Sequence, residues 1–464
     1  MSMTLIIIVF ILVIYAGAIF LLNLNYPLLK WDWEAIDLKK IIFPKNFTWG
    51  TATAAHQVEG GCDNNNWSDW ENSFDKSGKP RIRENQTSGD ACCHWDLYPE
   101  DFDRLNELGV NAYRFSLEWS KIEPEENVFD RNVMDHYSGV IQSLIDRNIT
   151  PVITLHHFTH PIWFDKKGGF ENSENRSYFV RFCTKMFNEY SDKVKMWCTI
   201  NEPGVFAVMG YFTGIFPPGK QDPKLTAHVI KNLLETHVQV YHTLKNLPNG
   251  QDSQIGIVKN INQFDPWRRW HLLDWVVSRI NDHIFNTIFI DFFEKGQFKI
   301  NIPGFIQTSH SNSKAVDSLD FFGLNYYSHS YMKFKPSLNE FFEHQFPADE
   351  IKTDMEYTIY AEGFYRAIQS VSKINKPIYI TENGIADKTD DRRKIYIERY
   401  LFALRKAMEN GADVKGYFYW SLMDNFEWAE GYDMCFGLYE VDFKTQKRTL
   451  RKGAERFKEI VNQR

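Results

Sequence analysis

Cysteine is scarce in this chain. Its 464 residues hold six thiols, Cys62, Cys92, Cys93, Cys183, Cys198 and Cys435, with no C-x-x-C pair and no cysteine near a histidine at zinc-ligand spacing. A disulfide scaffold, a zinc ribbon and a thioredoxin-type redox motif are therefore excluded, no metal is expected, and buried free thiols are the expectation. A basic excess is missing too: 53 Lys and Arg against 60 Asp and Glu leave a net charge of −7. Nucleic acid, which selects a basic footprint, is not an expected partner. There is no internal repeat and no low-complexity tract. With 26 Gly and 17 Pro in a chain that is 43% hydrophobic, collagen-like and disordered states are also excluded.

Charge is absent altogether from one stretch. Thr4 to Leu22 reads TLIIIVFILVIYAGAIFLL, 19 residues that as an α-helix would extend roughly 28 Å, close to the hydrocarbon thickness of a bilayer. A cleaved signal peptide is the alternative. The leading MSMT carries no Lys or Arg, the apolar run exceeds a usual signal core, and the small residues Ala16–Ala18 are followed by more apolar ones, so residues 1–24 read as an uncleaved membrane anchor. Residues 25–42, with Pro27 and mixed charge, read as a tether. The side of the membrane stays open: Lys30, Lys39 and Lys40 favour a cytoplasmic large domain, whereas sequons at Asn46, Asn66, Asn85, Asn148 and Asn175 favour secretion.

From residue 43 to 464 the pattern alternates. Val133, Tyr137, Val140, Ile141, Leu144 and Ile145 recur on one helical face, and a β-like run follows. Eight such runs occur: FTWGTATA, AYRFSLEW, TPVITLHH, VKMWCTIN, QIGIVKNI, LDFFGLNYY, KPIYITEN and VKGYFYWSL. Eight strands separated by helices predict an α/β fold, a single (β/α)8 barrel. An open doubly wound sheet would want a Gly-rich phosphate loop, and GTATAAHQVEGG contains no G-x-G-x-x-G. The long stretches 58–98, 204–224 and 326–360 read as irregular loops walling a pocket.

Polar residues gather at the carboxyl ends of the runs, the face on which a barrel builds its site: Gln57, Arg114, His156 and His157, Asn201 and Glu202, Asn325 and Tyr327, and Glu382. Glu202 and Glu382 end the fourth and seventh strands, each beside an Asn. Two carboxyl groups so placed suit glycoside hydrolysis, one protonating the leaving oxygen and the other attacking the anomeric carbon or activating water.

The chain from about Phe43 to Val461 resembles glycoside hydrolase family 1, the β-glucosidase family. The motifs F-x-W-G-x-A-T-A-x-x-Q-x-E-G, Y-R-F-S-x-x-W, T-L-x-H, N-E-P, N-Y-Y, T-E-N-G and W-S-L-x-D-N-F-E-W occur in order. The resemblance implies a (β/α)8 barrel, retention of configuration, no cofactor and a small β-glycoside as substrate. By motif it makes Glu202 the acid/base and Glu382 the nucleophile. Arg114 and Tyr327 would support Glu382, and Asn201 would bond the sugar 2-hydroxyl. Gln57, His157, Glu427 and Trp428 would contact the sugar hydroxyls, Trp420 would form a stacking floor, and Asn325, Phe436 and Tyr357 would complete the lining. His156, one residue before the matched histidine, points the other way and reads as structural.

Departures from the family pattern concern the substrate. Tyr357, in TDMEYTIYAEGF, stands where a Trp is common on the leaving-group side. H-F-T-H-P replaces W-D-L-P after the third strand, so Phe158 and His160 are expected to reshape the entrance. Members acting on phospho-sugars carry a Ser and a Lys-x-Tyr clamp, where this chain has Glu427, Trp428 and then Asp433 to Phe436; a phosphate facing Glu427 would be repelled, so unphosphorylated β-D-glucosides are expected, with β-galactosides and β-fucosides as further candidates. The anchor adds glycolipids as candidate substrates. The alternative is a catalytically silent, membrane-displayed carbohydrate-binding or co-receptor protein on the same fold, which would bind sugar without turnover.

Overall fold

The computed structural model describes residues 2–38, 41–302, 304–337, 341–348 and 350–463. Lys39 and Lys40, which entered the orientation argument, lie outside the described residues. Eight strands form the centre: β1 (Thr48–Ala52), β2 (Ala112–Ser116), β3 (Thr150–His156), β4 (Met196–Asn201), β5 (Gln254–Asn260), β6 (Phe321–Asn325), β7 (Ile378–Asn383) and β8 (Val414–Trp420). Every neighbouring pair is parallel, and β1 pairs with both β2 and β8, so the cylinder closes. All eight expected runs are strands, each shorter than its apolar run because the flanking residues turn into the loops.

The strands form because nearly all their residues are buried on both faces, as the β-branched and aromatic content requires. Close fit follows. Gly50 on β1 faces β8, where a Cβ would come within 2.3 Å of the Phe418 ring.

Helices cover the outside. Arg131–Asp146, which carries the helical stripe, is capped by Asp130, whose side chain accepts from the amides of Asn132 and Val133. It buries Met134, Tyr137, Val140, Ile141 and Leu144; Val133 and Ile145 stay half-exposed at the stripe's edge.

The long loops are more ordered than expected. Stretch 58–98 contains the helix Asn66–Glu71, 204–224 opens in a helix and a π-helical turn (Val208–Thr213), and 326–360 contributes two strands. Those two, His329–Phe334 and Phe342–Gln345, join Gln263–Pro266 in a small sheet standing on the carboxyl ends of β5 and β6. These elements alternate too weakly, over four to six residues, to register as periodic.

At the amino end α1 (Met3–Asn25) has no buried residue. Among the described residues it is the one helix long and apolar enough to cross a membrane. Residues 29–33 bind the barrel: Tyr360 donates to the Leu29 carbonyl, and Glu362 accepts from the Trp31 amide and the Trp33 indole. All six cysteines are free; five are buried and Cys93 is half-buried. Of the sequons, Asn66 and Asn175 are buried.

Candidate active site

Strand β4 ends by a sharp turn at Glu202, whose φ of 45° is left-handed and whose amide hooks onto the Val258 carbonyl of β5. A non-glycine residue there costs on the order of 1–2 kcal/mol, and Pro203 at the first position of the following helix fixes the exit. The turn aims Glu202 into a cavity of about 390 Å³ that Glu382 also lines. The two carboxyl groups that sequence separates therefore share one pocket.

Glu382 is held at both oxygens. Arg114 Nη1 donates to Oε1 at 2.6 Å and the Tyr327 hydroxyl to Oε2 at 2.8 Å. Arg114 is itself buried and fully engaged, with Nε on Thr154 Oγ1 and Nη2 on Asn201 Oδ1. Phe436 meets the Tyr327 ring edge-on at 5.9 Å and holds it in place.

Glu202 has no cation in direct contact among the described residues. Its Oε1 accepts from Asn325 Nδ2 at 2.7 Å, and the Thr381 hydroxyl, donating to Asn325 Oδ1, fixes that amide's orientation. Burial first, and then the negative charge of Glu382, push the Glu202 carboxyl up to about 8. The same two causes raise Glu427 to about 8. Glu202 accordingly keeps a proton at neutral pH, and the arginine is paired with Glu382 instead. That is the division of labour an acid and a nucleophile require.

The hydrogen bonds also fix the tautomer of His157. Arg114 can only donate, so Asn201 Oδ1 accepts and Asn201 Nδ2 donates to His157 Nε2 at 3.0 Å. Burial and the Arg114 charge hold the imidazole neutral, so the proton sits on Nδ1, which has no partner in the protein. Gln57 is parallel: its amide nitrogen donates to Asn425, the Phe426 carbonyl and Glu427, and its buried Oε1 is unpartnered. One unpaired donor and one unpaired acceptor suit hydroxyl groups, which provide both functions.

Trp420 stacks on His157 at 5.7 Å, and Trp428 lies near-parallel to the same ring at 6.1 Å. The glycine of T-E-N-G serves this wall: a Cβ on Gly384 would stand 1.7 Å from the Trp420 carbonyl oxygen. The candidate catalytic and sugar-contacting residues all lie at this site. His157, Asn201, Glu202, Tyr327, Tyr357, Glu382, Trp420, Glu427, Trp428 and Phe436 line the cavity, and Gln57, Arg114 and Asn325 bond to the lining. Phe158 lines it as well.

His160 does not, contrary to expectation. It is buried against His156, Phe164 and Phe170, with Nε2 on Asp165, because the loop turns at Phe158, whose φ is 70°. His156 lies in the same aromatic nest.

Sequence reading missed the apolar side of the cavity, Val205, Val208, Met209, Ile215, Phe285 and Met355, and also Asn260. It also missed Lys259, which is buried against Gly204, bonds the Asn260 carbonyl and places its ammonium over the Phe285 and Phe289 rings at 4.0 and 4.7 Å. Burial, opposed by the charge of Glu202, lowers Lys259 to about 7. Both residues end β5, and the rule used for the other strands would have found them. His56, Cys62 and Glu118 bring one ligand-type atom each within 4.8 Å of one another. Both ring nitrogens of His56 are already hydrogen-bonded, to Glu71 and Asn65, and Glu118 is bonded to Ser120 and Thr159.

The family model for glycosyl hydrolase family 1 matches residues 39–464. The chain is 33% identical to β-glucosidase A of Thermotoga maritima over 444 residues, covering 90% of this chain and 97% of the relative. Among solved structures it is similar to a β-glycosidase from Pyrococcus horikoshii, at 39% identity and a TM-score of 0.81, covering 91% of this chain and 95% of the other. It is also similar to a β-glucosidase from Thermotoga maritima in complex with galacto-hydroximolactam, at 30% identity and a TM-score of 0.80, covering 90% and 98%.

Proposed function

The chain belongs to glycosyl hydrolase family 1 and is a glycoside hydrolase, and from that premise we propose how its own residues perform the reaction. Glu202, protonated at neutral pH, gives its proton to the glycosidic oxygen as Glu382 attacks the anomeric carbon, and the bond to the leaving group breaks. Glu202, now a carboxylate, takes a proton from water, which displaces Glu382 and restores the original configuration. Arg114 and Tyr327 hold Glu382 as an aimed anion, and Asn201 has an N–H left for the sugar 2-hydroxyl. Gln57, His157, Glu427 and Trp428 take the remaining hydroxyls above the Trp420 face, with Asn325, Phe436 and Tyr357 completing the lining.

The observation that carries this reading is the asymmetry of the pair, Glu382 bonded to Arg114 and Tyr327 and Glu202 without a cationic contact. Among the described residues the cavity lining includes no Lys or Arg, which supports unphosphorylated β-D-glucosides, and β-galactosides or β-fucosides, as substrates. Release of p-nitrophenol from its β-glucoside is expected to fall by at least about three orders of magnitude in Glu382→Ala; an unchanged rate would remove the mechanism.

The chain is read further as an anchor (1–24), a tether (25–42) and a catalytic barrel (43–464), with membrane glycolipids among its substrates. The apolar α1 and the apolar leaving-group side of the cavity support this. Equal rates of the full chain and a chain lacking residues 1–24 on a glucolipid in vesicles would count against the glycolipid reading.

A further inference from the structure

The helix α1 does not stand clear of the barrel. Its second half runs beside the segment that leads into α2 (Leu272–Asp282). The Tyr15 hydroxyl donates to the Trp270 carbonyl at 2.7 Å and accepts from the Leu272 amide at 3.2 Å. Asn23 exchanges hydrogen bonds with Arg269, one to the carbonyl of that residue and one from its Nε. Arg279 on α2 sits 4.4 Å over the Tyr26 ring.

On the outside of this junction the barrel domain exposes apolar side chains. Trp270 is 64% exposed and Leu273 and Val276 are each 43% exposed. Between the two helices runs an apolar cleft of about 400 Å³ lined by Leu22, Trp275, Val276 and Ile280 among others.

Length then constrains depth. Met3 to Ile14, the part of α1 before this contact, is 12 residues and rises roughly 18 Å. A bilayer core is about 30 Å thick, so those residues cannot span it alone. A spanning α1 must use Tyr15 onward as well, and whatever depth Tyr15 to Leu22 occupy, Trp270, Leu273 and Val276 share. A tryptophan beside two aliphatic side chains is the composition that favours the boundary between headgroups and acyl chains.

The same element reaches the pocket. After α2 the chain continues through a π-helical turn (His283–Thr287), in which Phe285 lines the cavity. From Val276 to Phe285 the chain advances nine residues, about 14 Å of helix. Ile215, also on the lining, is exposed at its rim. Lipid contact and leaving-group side are therefore neighbours.

We propose that the surface around Trp270, Leu273 and Val276 is a bilayer-contact surface that seats the catalytic domain in the lipid interface, with the mouth of the sugar pocket beside it. The inference rests on the anchor reading of α1 and deepens it. The domain is immersed along α2, with the tether holding it close to the bilayer, and the apolar side of the cavity opens next to the lipid that would carry a glycolipid's tail.

The test uses the full chain in phosphatidylcholine vesicles with and without brominated acyl chains. A polarity-sensitive thiol probe is placed at Leu273→Cys or at Asp252→Cys, an exposed site at the opposite, amino-terminal end of the barrel strands. The unsubstituted chain, labelled in parallel, gives the background from its own thiols. The probe at 273 is expected to shift to the blue and lose at least about half its emission to the brominated lipid, and the probe at 252 to do neither. Equal behaviour of the two probes would overturn the seating. Turnover of p-nitrophenyl β-glucoside by the same labelled chains separates the two readings: activity with an unquenched probe at 273 sinks the seating alone, and inactivity of the unlabelled parent sinks the proposed function.

Discussion

Glu382 receives one hydrogen bond at each oxygen, so its two supports can be tested apart. Tyr327→Phe removes a bond to a charged group worth about 1.5–3 kcal/mol. With that bond aiming the attacking oxygen into the transition state, kcat is expected to fall about 10- to 100-fold and stability by no more than about 3 kcal/mol, as steady-state kinetics and denaturant unfolding would check. In the proposed mechanism Glu202 acts first as an acid and must be protonated. Because burial and Glu382 raise it to about 8, kcat/KM is expected to hold through neutral pH and to fall as pH rises through about 8. Lys259, lowered to about 7, is largely neutral where Glu202 titrates, so Lys259→Met is expected to leave the alkaline limb near 8; a limb displaced by about half a pH unit or more would show that the ammonium does bear on the acid.

At this scale the site was legible at most strand ends, Lys259 and Asn260 on β5 excepted, because strand ends converge on one face regardless of loop detail, and on loops where a motif marks the residue, as at Glu427 and Trp428. It was illegible where loops supply apolar contacts that no motif marks. Met209, Phe285 and Met355 carry no chemical signature, and the course of the chain after Phe158, which turns His160 away, depends on a single left-handed residue.

The strands were legible as elements because burial on both faces leaves continuous apolar runs that no solvent-facing helix would carry. The small sheet over β5 and β6 was not, since its strands are only four to six residues long. Barrel closure leaves some positions no room for adjustment. At Gly384 the obstacle to a Cβ is a backbone carbonyl, which cannot swing aside as a side chain could. Gly384→Ala is expected to cost about 1–3 kcal/mol, read by denaturant unfolding, and to lower activity further by displacing Trp420 from the sugar face.

For the whole molecule, composition excluded the basic and disulfide-rich classes, and hydropathy marked α1. Hydropathy could not reveal that α1 lies against the barrel domain, because the contact is made by hydroxyl, amide and guanidinium groups scattered over more than 250 positions of sequence. Every lining residue of the pocket lies between positions 157 and 436. Deleting residues 1–24 is therefore expected to leave kcat/KM on soluble p-nitrophenyl β-glucoside within about twofold, while flotation with vesicles declines.

One guanidinium joins several of these levels. From β2, Arg114 reaches Thr154 on β3, Asn201 on β4 and both Thr381 and Glu382 on β7, so it acts as a spoke across the interior of the cylinder. The aim of the attacking carboxylate is thus tied to the spacing of strands on opposite walls. Warming that loosens any of them by a fraction of a hydrogen-bond length would misdirect the nucleophile while the helices are still folded, so catalysis should fade at temperatures where circular dichroism still reports an intact barrel.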